Sequence, residues 1–176
     1  NRMASTPTLA FDRAPDPELT AEQIQQVVFY VRTLAPPAAG PMTARRQAGE
    51  TVFAQIGCAT CHVPEVRTGP HRVAALADRP VRLYSDLLLH DLGEVLADGV
   101  RDADAAAGEW RTAPLWGLRV MRDFLDGEAF LLHDGRARSV EEAILLHGGE
   151  AQNARDRFAA LPAEARAALL DFVESR

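Results

Sequence analysis

Residues 57–64, GCATCHVP, decide the fold. Cys58, Cys61 and His62 stand in the C-x-x-C-H spacing at which two thiols add to the vinyl groups of a porphyrin and the adjacent imidazole reaches the iron from one face. The motif therefore predicts a covalent haem c with one axial position filled and one open. What closes the second position sets the chemistry: electron relay, binding of oxygen species or reduction of peroxide.

Both cysteines of the chain lie in this motif. A redox dithiol would normally sit at a strand-to-helix junction in a βαβ pattern, and a zinc site would need two further ligands at short spacing; neither context is present. The 176 residues suffice for one domain or slightly more, and 47% apolar content supports a buried core. Nineteen basic against 25 acidic residues give a net charge of −6 with no basic stripe, which argues against nucleic acid or an anionic membrane surface and leaves a basic redox protein as a fitting partner. Neither a signal peptide nor an apolar run of spanning length occurs, so no transmembrane segment is expected. Haem c is attached outside the bacterial cytoplasm. The chain is accordingly placed in the periplasm and read as a processed protein or a fragment.

Two distant segments read alike. TAEQIQQVVFYVRTLAPP from Thr20 and PAEARAALLDFVESR from Pro162 align Ala21 and Glu22 with Ala163 and Glu164, and Tyr30 and Val31 with Phe172 and Val173. Each predicts an amphipathic helix with an acidic first turn. A haem c domain brackets its motif between an opening and a closing helix. Here Thr43 to Gly57 opens, with Gly49 allowing close approach and Val52, Phe53 and Ile56 on one face; Phe172 of the last helix is the natural contact. The first closing helix has no motif before it, which predicts a preceding haem domain. The division expected is 1–35 as the closing helix of that domain, 36–44 as a linker rich in proline, and 45–176 as the haem domain. Residues 1–19 read as irregular. The fold class expected is all-α, cytochrome c-like, with a long irregular insertion between Val63 and Ala113.

The candidates for the open axial position after His62 are His71, His90, His133, His147 and Met121, with Met3 and Met42 before it. His147 has the strongest local pattern. Ser139 and Glu142 read as a capping box, Gly148-Gly149 as a helix stop, and Val140, Ala143, Ile144 and His147 fall on one stripe at i, i+3, i+4 and i+7. Met121 is the alternative, since a His/Met pair is the usual electron-transfer ligation. His133 and His90 read as turn-adjacent and His71 as a surface residue. Two imidazoles would close the iron, and such a site relays electrons without binding substrate.

Taken together, VVFYVRTLAPP, GETVFAQIGCATCHVPEVRTG, YSDLLLHDLGEVLADG, EWRTAPLWGL and FLLHDGRARSVEEAILLHGGEAQNARDRFAAL, in order over residues 20–176, resemble the bacterial di-haem oxidoreductases described as thiol oxidoreductases or peroxidases. These are relatives of the di-haem cytochrome c peroxidases and of the enzyme that matures methylamine dehydrogenase. The resemblance implies two cytochrome c-type domains, the first meeting peroxide and the second passing electrons to it, with this chain covering the second and the end of the first. His147 takes the place where the peroxidases carry a methionine ligand and the methylamine-related enzyme a tyrosine, so bis-His ligation is implied. Arg111 is implied as a haem propionate partner, Trp110 and Trp116 as lining or relay residues, and a calcium ion between domains is admitted.

Three functions follow as expectations. The first is the electron-transfer half of a periplasmic di-haem oxidoreductase, partnered by a redox protein or small cytochrome, with its other haem on a preceding domain or a second chain. The others are a free-standing mono-haem electron carrier and a haem-based sensor. In the first case this chain is an electron relay and none of its residues is a catalyst.

Overall fold

The computed structural model describes residues 17–176, so Met3 and most of the stretch expected to be irregular over 1–19 lie outside the described residues. The chain divides into two compact units, Asn1–Ala35 and Pro36–Arg176. In the first, α1 (Ala21–Thr33) starts at a closed capping box: Thr20 Oγ1 accepts from the Gln23 N–H and the Gln23 side chain accepts from the Thr20 N–H. None of the side chains of α1 is buried.

The second unit is built on a crossing of α2 (Ala44–Gln55) and α6 (Ala163–Glu174). Gly49 makes the crossing possible. A Cβ there would lie 2.1 Å from the Ala168 carbonyl oxygen and 2.8 Å from Phe172 Cβ, so only a residue without a side chain lets the backbones meet. Phe53 of α2 and Phe172 of α6 then pack edge to face, with ring centroids 5.5 Å apart. Tyr84, from the segment after the motif, completes a triangle at 6.2 Å from Phe53 and 5.8 Å from Phe172. All three are almost fully buried, with Leu169 and Phe158 behind them. Side chains of this size contribute roughly 1.5 to 3 kcal/mol each on burial, so this cluster carries much of the unit's stability.

The remaining helices are short: α3 (Leu118–Phe124), α4 (Val140–Leu146) and α5 (Gln152–Ala159). Phe158 of α5 and Val140 of α4 enter the same core. The Gly117 and Arg119 N–H groups at the start of α3 donate to the Arg176 carbonyl, which ties α3 to the end of α6.

The chain is mainly helical, yet the all-α expectation needs correction. The segment between Val63 and Ala113 forms two antiparallel two-stranded sheets. In one, β1 (Val66–Arg67) pairs with β2 (Pro80–Val81); in the other, β3 (Leu89–Asp91) pairs with β4 (Glu109–Arg111), with His90 opposite Trp110. Strands of two or three residues are too short to display an alternating pattern, and Pro80 in β2 argues against a strand on sequence grounds. The insertion is thus partly ordered, and Ser85 binds its two halves: its buried Oγ donates to the Thr112 carbonyl at 2.7 Å and accepts from the Leu87 N–H at 2.8 Å.

Gly49→Ala is expected to destabilise the protein by about 2 kcal/mol or more, because the new methyl must displace helix backbone. Gly69→Ala, where a Cβ meets open space, serves as the comparison and should stay close to neutral. Denaturant unfolding of the two variants checks this; equal stabilities would contradict the crossing.

Candidate functional site

The motif sits directly after α2. The helix ends at Ile56, Gly57 takes a left-handed φ of 100°, and Cys58–Thr60 forms a 3-10 turn. The His62 N–H closes the turn by donating to the Cys58 carbonyl at 3.0 Å. Both thiols are free and half-buried. Burial pushes the Cys58 thiol up to about 11, and burial followed by the charges of Asp86 and Glu150 raises Cys61.

His62 is oriented through Tyr84. Its Nδ1 lies 3.0 Å from the Tyr84 carbonyl oxygen, so this nitrogen carries the proton and donates. Tyr84 can offer that carbonyl because its backbone is left-handed, φ 56°, an unfavourable state for a bulky residue. The buried ring, wedged between Phe53 and Phe172, holds it there. The Nε2 of His62 has no hydrogen-bond partner among the described residues.

His147 is arranged in the same way by a different element. Ser139 caps α4 by accepting from the Glu142 N–H at 3.1 Å, while the Glu142 carboxylate accepts from the Arg138 N–H at 2.7 Å, one residue earlier than a closed capping box would place it. Val140 and Ala143 are buried and Ile144 packs on the core, as the stripe predicts. The helix stops one residue sooner than that pattern implies. His147 is the C-cap, with ψ 125°, and its Nδ1 lies 2.7 Å from the Ala143 carbonyl oxygen. Its Nε2 is likewise without a partner among the described residues. The two imidazoles are electrostatic neighbours: burial first, and then the nearby His147, hold His62 below the ordinary histidine value against the Tyr84 bond. Burial lowers His147 as well, against its bond to Ala143. Both rings are therefore neutral near pH 7, with Nδ1 spent on a backbone carbonyl and Nε2 available, which is the form that ligates a metal.

Gly148-Gly149 does more than stop a helix. A Cβ on Gly149 would lie 2.2 Å from the Asp91 carbonyl oxygen and one on Gly148 would lie 2.8 Å from that of Leu92. The loop after His147 is pressed against the strand β3 backbone, and Glu150 locks it by accepting from the Asp91 N–H at 2.9 Å. The other Glu150 oxygen lies 2.9 Å from His90 Nδ1, while His90 Nε2 lies 2.8 Å from Asp86. Asp86 returns to the motif: its N–H donates to the Cys61 carbonyl at 2.9 Å. Cys61, Asp86 and His90 offer ligand atoms within 4.8 Å of one another.

The candidates of the sequence thus fall into two groups. Cys61, His62 and His147 come together with Asp86, His90 and Glu150. Met121 lies half-buried on α3, and Met42 is exposed. Arg111 is exposed on β4 and donates to the Leu87 carbonyl. Trp110 stacks on His133 with ring centroids 3.4 Å apart and donates from Nε1 to the Leu96 carbonyl, so the His133 ring is engaged with an indole. Trp116 is 36% exposed. His71 is exposed and accepts from the Val73 N–H. Tyr84, Asp86 and Glu150 were missed. A carboxylate at 150 carries no motif, and a carbonyl contributed by a left-handed tyrosine leaves no trace in residue type.

The sequence profile of a family described as "Di-haem oxidoreductase, putative peroxidase" matches residues 7–176. No curated protein matches the chain. Among solved structures, hydrazine synthase of Kuenenia stuttgartiensis, pressurized with 20 bar xenon, is similar with a TM-score of 0.57 at 16% sequence identity. The likeness covers 89% of this chain and 56% of that one, and it shows a shared fold. The chain thus spans little more than half the length of that structure.

The bridge through His90 has a defined pH window. Burial opposes the charged form of Asp86, but bonds from the Leu88 N–H and His90 together hold it below 3.8. The bond to His90, followed by the Asp91 N–H, holds Glu150 below 4.5. His90 is raised above 6.5, by Glu150 first and Asp86 second. The carboxylates' contribution is present above their ordinary values and lost as pH falls through the depressed ones. That of His90 is present below 6.5 and lost as pH rises through the raised value. The stability difference between the wild type and His90→Gln should therefore be largest between about pH 4.5 and 6.5 and shrink on both sides. Parallel unfolding profiles across this range would contradict the bridge.

Proposed function

The chain belongs to the di-haem oxidoreductase family, and on that premise we propose that it carries one covalent haem c in a cytochrome c-like domain, held by His62 and His147, and relays electrons. The observation that carries the reading is the matched pair of imidazoles. Each has Nδ1 bonded to a backbone carbonyl and Nε2 unengaged, and they are electrostatic neighbours beside two free thiols. That donor set fits a haem c.

When bound, the haem supplies a reversible one-electron iron centre. Cys58 and Cys61 would attach it by thioether bonds. Tyr84 and Ala143, through their carbonyls, hold the proton of each imidazole on Nδ1 and orient the ring, which would raise the basicity of the Nε2 that would ligate the iron. With His62 and His147 both holding it, the iron would have no position left for water or peroxide. Reduction of peroxide in such a protein then belongs to another haem, on a preceding domain or a second chain, which this unit would feed with electrons. Arg111 is the proposed partner of a haem propionate, through the guanidinium nitrogens that Leu87 leaves free.

The proposed compartment is the periplasm, where haem c is attached, and the proposed electron source is a soluble redox protein. No helix among the described residues is long and apolar enough to cross a membrane.

Pyridine haemochrome spectra test the reading. Protein made where haem c is attached should hold one covalent haem per copy of residues 36–176. Cys58→Ala with Cys61→Ala should abolish covalent attachment and release the haem on acid extraction. Wild-type protein free of covalent haem would contradict it.

A further inference from the structure

Among the described residues, His90 is the histidine whose two ring nitrogens both face carboxylates, Glu150 at 2.9 Å and Asp86 at 2.8 Å. Its side chain is 18% exposed, that of Asp86 14% and that of Glu150 57%. The cluster borders the motif, because Cys61, Asp86 and His90 have ligand atoms within 4.8 Å of one another and the Asp86 N–H is bonded to the Cys61 carbonyl. Neither the thioether attachment nor the axial ligation uses it.

We infer that His90, clamped between Asp86 and Glu150, is a proton-uptake site coupled to the arrival of an electron at the haem held by His62 and His147, an inference that rests on the haem reading above. The geometry explains why a proton goes there. Two carboxylates on one imidazole each demand an N–H. Loss of a proton leaves one of them facing a ring lone pair, at a cost in so sheltered a place. A positive charge on the oxidised iron offsets that cost and allows release of the proton. Reduction removes the charge and restores the demand. Uptake takes one electron from a one-electron donor protein and one proton from solvent: an N–H bond forms at His90 and the charge of the site is unchanged. Oxidation returns both. Glu150, more than half exposed, is the contact with water, and Asp86 is the sheltered partner.

Other charged and titratable groups lie on the elements around His90. Asp91 follows it on β3, with its carboxylate accepting from the Gly93 N–H. Glu109 and Arg111 flank Trp110 on β4. His62 and Cys61 come from the motif, and His147 from the end of α4; on the haem reading the two histidines would ligate the iron and the thiol would be consumed by attachment.

Potentiometric titration of the haem-loaded protein between about pH 6 and about pH 9 tests the coupling. The wild-type midpoint should fall as pH rises above the ordinary histidine value. Its slope should approach one proton per electron, a tenfold change in the reduction equilibrium per pH unit, or about 59 mV. His90→Gln should lose the slope in this window, and Glu150→Gln, which leaves one carboxylate, should move the window to lower pH. On unmutated protein, the His90 ring resonances should titrate at higher pH in the ferrous than in the ferric state. A low-spin haem protein whose wild-type midpoint is flat, or whose slope survives in His90→Gln, overturns the proton coupling alone. Protein without covalent haem overturns the haem reading and the coupling with it.

Discussion

The backbone of Gly49 against the Ala168 carbonyl is the contact on which the rest of the second unit depends. It draws α2 and α6 close enough for Phe53 and Phe172 to meet edge to face. Those rings leave a slot that Tyr84 fills, and filling it forces the Tyr84 backbone into the left-handed region. The carbonyl so presented sets the tautomer of His62. A helix crossing therefore reaches the proposed iron ligand in two steps, first through packing and then through one hydrogen bond.

The opposite side of the site is organised by the backbone rather than by the core. Gly148 and Gly149 rest on Asp91, Leu92 and Gly93, and Glu150 bonds both the Asp91 N–H and His90. Strand β3 in turn is tied to the motif through Asp86. The insertion between Val63 and Ala113 is accordingly part of the site: it supplies the carbonyl that orients one imidazole and the strand that braces the loop carrying the other. The same bracing brings three ionisable side chains beside Cys61, where a proton can answer a change of charge.

Much of this was legible in the sequence because it is local. Cys58, Cys61 and His62 follow one another within a turn, and a capped apolar stripe with a glycine pair places His147 at the end of a helix. Gly49 and Phe172 could be matched because helix crossings follow ridge and groove rules. Family membership was legible from motifs spread in order along the chain, and the profile match over residues 7–176 agrees with it. The parts that were not legible are contacts across long separations. His90 and Glu150 are 60 positions apart and His62 and Tyr84 are 22 apart, and none of these pairs has a spacing rule. The β3 and β4 strands escaped because three residues are too few to alternate. His90, read as turn-adjacent, proved to be a strand residue held at both nitrogens.

The central proposal is that His62 and His147 would both hold the haem iron. Near-infrared magnetic circular dichroism of the ferric, haem-loaded protein tests it most directly, because the ligand-to-metal charge-transfer band reports the axial pair. A low-spin band of the bis-imidazole class is expected in the wild type and should change class in His147→Met. A methionine-class band or a high-spin spectrum in the wild type, or a bis-imidazole band that persists in His147→Met, would contradict it.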